Sequence, residues 1–325
     1  MITNKPLPKW LNDYIFGFLG AEEKPDPKEF CKNLDSDDEK NKIYLGTYFP
    51  RSFAESFCIH SNLFSYEPYR THLEKKEELS LLSIGCGTGG DILGMICAIA
   101  NNLPNINKLH IVAFDGNNIA IDYLSDLLDL KPLKTRFGFA DKDIKYVPLP
   151  VTCVEDLRHY IDHMGDSYDL ITSFKFVNEL MDAGILKQDG FRVLAELLAP
   201  QLNETGLLTL LDVTDKHYDV WQSKNLNSGL CAFSRANDKF KTLLPTPCHF
   251  YDRKCIGGRC FTNKRFFGTF TADDKVVYRV IGRTAFVDTL YVKIREGVSY
   301  ARNVDNEYCP GFRGRTVADA FDINS

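Results

Sequence analysis

Leu81-Leu82-Ser83-Ile84-Gly85-Cys86-Gly87-Thr88-Gly89-Gly90-Asp91 is the stretch that decides how this chain folds. An apolar run ends in a cluster of glycines, and a segment of helical character follows from Ile92 to Ala100. The order reads as a strand, a tight turn and the first turn of a helix. Glycine adopts positive φ without a Cβ penalty, and it lets another group approach bare backbone. A nucleotide-like ligand lies against such a turn, at the carboxyl end of a strand.

Two ligand patterns overlap here. Gly85, Gly87 and Gly90 satisfy the dinucleotide pattern G-x-G-x-x-G. Gly85, Gly87 and Gly89 satisfy the G-x-G-x-G turn of S-adenosylmethionine (SAM) binders. The next apolar run, Leu109 to Phe114, ends in Asp115 with Gly116 beside it. A carboxylate at the tip of a second parallel strand suits a bidentate contact to ribose hydroxyls. The glycine turn and Asp115 together indicate an adenosine-containing ligand and leave its identity open.

On these residues the chain resembles the class I SAM-dependent methyltransferases. The matching pieces are Leu82 to Gly89, Asp115 after the second strand, Tyr168 to Phe174 as the fourth strand and Gly206 to Asp212 as the fifth. The resemblance spans roughly residues 45–215. It implies an α/β fold with a Rossmann-like sheet. That sheet would be mostly parallel, with an antiparallel C-terminal strand pair and helices on both faces. It implies SAM as cofactor, with Ser83, Gly85, Cys86, Gly87 and Gly89 near its methionine and ribose. Asp115 and Gly116 would take the ribose, and Cys153 and Val154 would flank the adenine. Ser173 is also expected at the cofactor, and Ser173 to Glu179 would face the methyl acceptor, with Asn178 as hydrogen-bonding partner and Glu179 as general base or acceptor-orienting group. The family usually carries Asp or Glu two residues before the first glycine, where this chain has Ser83. The segment after the fourth strand lacks the Asn/Asp-Pro-Pro-Tyr/Phe signature of many exocyclic-amine methyltransferases. The acceptor class therefore stays open between a small molecule and RNA.

Composition sets the outer limits. A chain of 325 residues buries a substantial core. The formal charge of −5 argues against a strongly basic nucleic-acid binder overall. Met1 to Trp10 lacks the apolar core of a signal peptide. No apolar run approaches the roughly 20 residues of a membrane span. The ten cysteines are scattered mostly one at a time, which suits a reducing compartment. A soluble, cytoplasmic protein with no membrane partner is expected.

The chain divides on these grounds into four stretches. Residues 1–75 form a helical, aromatic lead-in that acts as a lid, with Tyr48 and Arg51 as lid candidates. Residues 76–215 carry the strand–helix alternation of a SAM-binding core. Its third strand, 144–152, is broken by Pro148 and Pro150. A helix is expected over 185–198. Residues 216–275 depart from the alternation and read as a cysteine-containing insertion. Residues 276–325 hold two closing strands, 276–282 and 286–294, and a tail.

The insertion contains Cys248-His249-x5-Cys255-x4-Cys260. Thiolates and imidazole hold zinc or an iron–sulfur cluster. This spacing lacks the paired C-x-x-C of zinc ribbons, so no metal is assigned. Cys248, Cys255 and Cys260 are the candidates if one is held. Bases and aromatics alternate from Phe250 to Phe267, a pattern that suits single-stranded RNA or a β-rich segment. A second resemblance is to mitochondrial and bacterial ribosomal small-subunit methyltransferase-like assembly factors. It rests on Tyr44 to Phe53, Asn178-Glu179-Leu180 and the Cys248–Phe261 tract, with different spacings. It implies a non-catalytic SAM-fold protein that binds RNA or a ribosomal particle. An NAD(P)-linked oxidoreductase is the third class the glycine turn allows.

Overall fold

A computed structural model describes residues 7–24, 37–140, 143–165, 167–213, 216–217, 220–244, 262–267, 271–296, 301–302 and 308–309. The chain forms two compact units. The first is Asn4–Pro150 with Arg265–Ala272; the second is Val151–Lys264 with Asp273–Ser325 and Met1–Thr3.

The first unit holds helices α1 (Asp38–Thr47), α2 (Phe49–Ser65) and α3 (Glu67–Leu73), then β1 (Glu78–Ile84) and α4 (Gly90–Asn102). It continues with β2 (Lys108–Asp115), α5 (Asn118–Leu128), α6 (Lys131–Phe137) and β3 (Ile144–Pro148). β2 pairs with β1 and with β3, both in parallel. Leu79, Leu81, Leu82 and Ile84 of β1 are all buried, and Ser83 with them, as in a strand covered on both faces. β3 stops at Pro148 rather than reaching residue 152, because Pro148 and Pro150 donate no ladder hydrogen bond.

The aromatic lead-in is core in large part. Phe49, Phe53, Phe64 and Tyr69 are buried. α2 packs on α4 through glycine. A Cβ on Gly90 would lie 2.6 Å from the Phe49 carbonyl oxygen, and one on Gly94 would lie 2.4 Å from that of Phe53. Bare glycine is what allows these two backbones to approach so closely. The Ser56 hydroxyl donates to the Asp91 carbonyl at 2.6 Å across the same contact. α2 ends before Glu67-Pro68, where proline suits the first turn of α3.

The second unit holds α7 (Val154–Asp162), β4 (Tyr168–Phe174), α8 (Phe176–Asp182), α9 (Gly190–Leu198) and β5 (Leu202–Val213). It continues with α10 (Gln222–Ala236), β6 (Phe240–Leu244), β7 (Thr271–Arg283) and α11 (Thr284–Glu296). β4 and β5 are parallel. β7 runs antiparallel to both β5 and β6. The fold is thus a Rossmann-like α/β fold, mostly parallel, with an antiparallel C-terminal strand pair.

The closing pair differs from the sequence expectation. Run 286–294 lies inside α11 and is helical, and the antiparallel partner of β7 is β6. Val287 and Leu290 are buried while Asp288 and Thr289 are exposed. That spacing is helical, although the β-branched and aromatic residues mimic a strand. The helix expected over 185–198 is also corrected. Gly184 takes φ +73 and closes α8, and α9 starts only at Gly190. Among the described residues no helix is long and apolar enough to cross a membrane.

Candidate functional site

The glycine turn lies in the first unit between β1 and α4. Gly85, Gly87 and Gly89 take φ of +71, +51 and +83, all in the left-handed region that favours glycine. The N–H groups of Gly85 and Cys86 donate to the Phe114 carbonyl at 2.8 and 3.1 Å, which ties the turn to the end of β2. One residue further on, Asp115 closes the arrangement. Its Oδ2 accepts the Gly87 N–H at 2.7 Å and its Oδ1 accepts the Asn117 N–H at 2.9 Å. Each carboxylate oxygen has a second acceptor site, so ribose hydroxyls remain compatible with these bonds.

Asp91 brings a second carboxylate to the turn, and this one is buried. Its Oδ2 accepts the Ser83 hydroxyl at 2.7 Å. Ser83 thus orients a buried carboxylate that comes from the first turn of α4. Burial raises the Asp115 pKa above the ordinary carboxylate value, and the Asp91 charge adds to this. The N–H donors of Asn117, Gly87 and Gly116 pull it back down. Burial also pushes the Cys86 thiol well up, with Asp115 and Asp91 contributing. That burial disfavours the thiolate, the nucleophilic form of a cysteine.

The turn has features that suit a ligand. The Thr88 hydroxyl is buried and makes no hydrogen bond among the described residues. A Cβ on Gly87 would lie 3.4 Å from Cε1 of Tyr44. One on Gly89 would lie 2.3 Å from Cδ1 of Leu124. Ser83, Gly85, Cys86, Gly87, Gly89, Asp115 and Gly116 are therefore gathered at one turn.

The second unit carries the other expected residues. Ser173, the penultimate residue of β4, has a buried hydroxyl that makes no hydrogen bond among the described residues. Lys175 takes φ +65, a left-handed conformation costly for a residue with a Cβ. Its N–H donates to the Leu211 carbonyl at 2.7 Å, which ties this corner to β5. Asn178 lies under a chain of amides. Asn225 Nδ2 donates to Gln222 Oε1 at 3.0 Å, and Gln222 Nε2 donates to Asn178 Oδ1 at 3.1 Å. Glu179 is exposed in the first turn of α8, where the helix dipole favours a carboxylate.

Cys153 is the N-cap residue of α7, and Val154 is the first residue of that helix. The Asp156 carboxylate accepts the N–H groups of Thr152 and Cys153 at 2.9 and 3.2 Å and fixes this corner. Cys248, Cys255 and Cys260 lie outside the described residues.

Sequence reasoning passed over Asp91, Tyr44, Gln222 and Asp212 as site residues. Asp212, the penultimate residue of β5, is buried and accepts the N–H groups of Asn178 at 3.0 Å and Val213 at 2.8 Å. Burial pushes it up to about 7; the two N–H donors and the Lys175 charge oppose the rise, and Asp182 adds to it. A carboxylate near the end of a largely apolar strand was the available signal.

No protein family and no curated protein matches the chain. Solved structures match at low identity. A candidate RNA methyltransferase from Pyrococcus horikoshii is 10% identical with a TM-score of 0.41, over 85% of this chain and 98% of that one. The plantazolicin methyltransferase BpumL, solved with SAH, is 13% identical with a TM-score of 0.41, over 84% of this chain and 99% of that one. The precorrin-6y C5,15-methyltransferase of Geobacter metallireducens is 16% identical with a TM-score of 0.35, over 67% of this chain and 89% of that one. Likenesses of this depth assign neither cofactor nor substrate to the chain.

Proposed function

We propose that the protein is a SAM-dependent methyltransferase that holds its cofactor at the glycine turn. One observation carries this reading. Two carboxylates, the buried Asp91 and the partly buried Asp115, meet the turn, and among the described residues no cationic side chain is one of the groups that shift Asp115. The pyrophosphate of a dinucleotide would set negative charge against them. SAM has no phosphate and a net positive charge, so the same carboxylates attract it.

The residues fit that cofactor. The left-handed glycines turn the chain at the end of β1, and the buried Thr88 hydroxyl has hydrogen-bonding capacity in reserve. Asp115 takes the ribose hydroxyls on its remaining acceptor sites, with Gly116 beside it. Ser83 acts through Asp91. When bound, SAM supplies an electrophilic methyl group on a positively charged sulfur. The chain's own task is then to align donor and acceptor and to exclude water. Asn178, oriented by Gln222, hydrogen-bonds the acceptor. Glu179 removes a proton where the acceptor must lose one. The acceptor is a small molecule or RNA.

Replacing Asp115 by alanine is expected to weaken SAM binding by at least about tenfold, the loss of one charge-assisted contact. Calorimetric titration reads this directly, and unchanged affinity counts against the assignment. Glu179→Ala is expected to lower turnover with a proton-bearing acceptor more than SAM affinity. Equal loss of both would remove the base role. SAM binding without turnover on any acceptor would favour a non-catalytic RNA-binding assembly factor instead.

A further inference from the structure

The lead-in helix α1 is fixed beside the glycine turn. Asn117 Nδ2 donates to Asn41 Oδ1 at 3.0 Å, and both residues are buried. The Tyr123 hydroxyl donates to Asp38 Oδ1 at 2.6 Å. Asn117 follows Asp115 by two positions, so α1 is tied to the corner that carries the ribose-binding carboxylate. Tyr44 lies one turn beyond Asn41 on the same face of α1.

That placement brings Tyr44 to Gly87. The three atoms nearest a Cβ built on Gly87 all belong to Tyr44: Cε1 at 3.4 Å, Oη at 3.8 Å and Cζ at 3.9 Å. The ring has support behind it. Tyr48 sits 4.9 Å away between centroids, and the Arg51 guanidinium lies 5.9 Å from the Tyr48 centroid. The turn is therefore bounded by an aromatic ring on the α1 side and by the carboxylates of Asp91 and Asp115. Rings and carboxylates are the two classes of group that stabilise a buried cation.

We propose that Tyr44 is a cofactor-selectivity residue: its ring, placed against Gly87, lines the subsite for the positively charged sulfonium, while Asp115 holds the ribose. This rests on the SAM reading above and extends it. SAM and S-adenosylhomocysteine (SAH) differ at the sulfur by one methyl group and one positive charge. A ring beside that sulfur favours the cationic donor over the neutral product and so eases product release. The lead-in becomes part of the cofactor site rather than only a cover.

The test is calorimetric titration of the full chain and its Tyr44→Phe and Tyr44→Leu variants with SAM and with SAH. Wild type is expected to bind SAM more tightly than SAH. Tyr44→Phe keeps the ratio within about twofold, because the ring remains. Tyr44→Leu lowers the SAM-to-SAH ratio by roughly fivefold. Equal weakening of both ligands by Tyr44→Leu would reduce the ring to packing, and equal tightening would make it an obstruction; either overturns the proposal, as does an unchanged ratio. If Tyr44→Leu does not melt cooperatively, Tyr44→Met removes the ring at similar bulk and is read the same way. Wild-type protein that binds neither ligand defeats the SAM reading itself, whereas intact binding with an unchanged ratio defeats only the role of Tyr44.

Discussion

Gly94→Val is expected to lower the stability of the protein by about 3 kcal/mol, the upper end of typical overpacking costs. The added Cβ would meet the Phe53 carbonyl oxygen at 2.4 Å, the Phe57 nitrogen at 2.9 Å and the Ser56 Cβ at 2.9 Å. The first two are backbone atoms of α2, so no side-chain rotation relieves the clash. α2 and α4 must separate, which stretches the bond from Ser56 to the Asp91 carbonyl. Replacing a helix-interior glycine normally gains up to about 1 kcal/mol of propensity, too little to offset this. Urea unfolding followed by circular dichroism reads the loss, and Gly94→Ala should show a smaller one. An unchanged midpoint for valine would mean that the helices are not in this close contact. Because α4 carries Asp91, the same variant should also disturb the glycine turn.

Asp212→Asn is expected to change how stability depends on pH. Burial pushes Asp212 up to about 7. An unfolded aspartate titrates near about 4. Between those values the native state retains a proton that the unfolded state has released. The contribution of this group is fully present below about pH 4 and is lost as pH rises through about 7. The full swing is on the order of 3–4 kcal/mol. Asparagine does not titrate, so the variant should gain on wild type as pH rises from about 5 to about 8. Urea midpoints of both proteins at the two pH values give the comparison. A constant difference would show that the native carboxylate titrates normally. Lys175 and Asp182 are the charged groups acting on this site, with opposite signs. Asp212 also holds the Asn178 N–H, so its ionisation bears on the start of α8.

The first half of the chain was largely legible, for reasons that differ by element. β1, the glycine turn and β2 are marked by runs rich in apolar residues that end at Gly85 and Asp115, interrupted only by Ser80, Ser83 and His110. α11 was misread because Phe286, Val287 and Tyr291 have strand-like side chains, and only the burial of Val287 and Leu290 reveals the helical period. The site was legible where chemistry is local in sequence. Ser83 stood out as a departure, but its partner Asp91 is eight residues away across the turn. Asp212 meets Asn178 only through the pairing of β5 with β4, and Tyr44 meets Gly87 only through the packing of α1. Such contacts come from tertiary structure, which periodicity along the chain does not encode.

The central claim is that the glycine turn, with its two carboxylates, binds a cationic adenosyl cofactor. Calorimetric titration of the wild-type chain with SAM and, separately, with NAD+ tests it most directly. The account predicts SAM binding with a dissociation constant of roughly micromolar order and no measurable binding of NAD+. Binding of NAD+ without SAM would contradict it and make the turn a dinucleotide site.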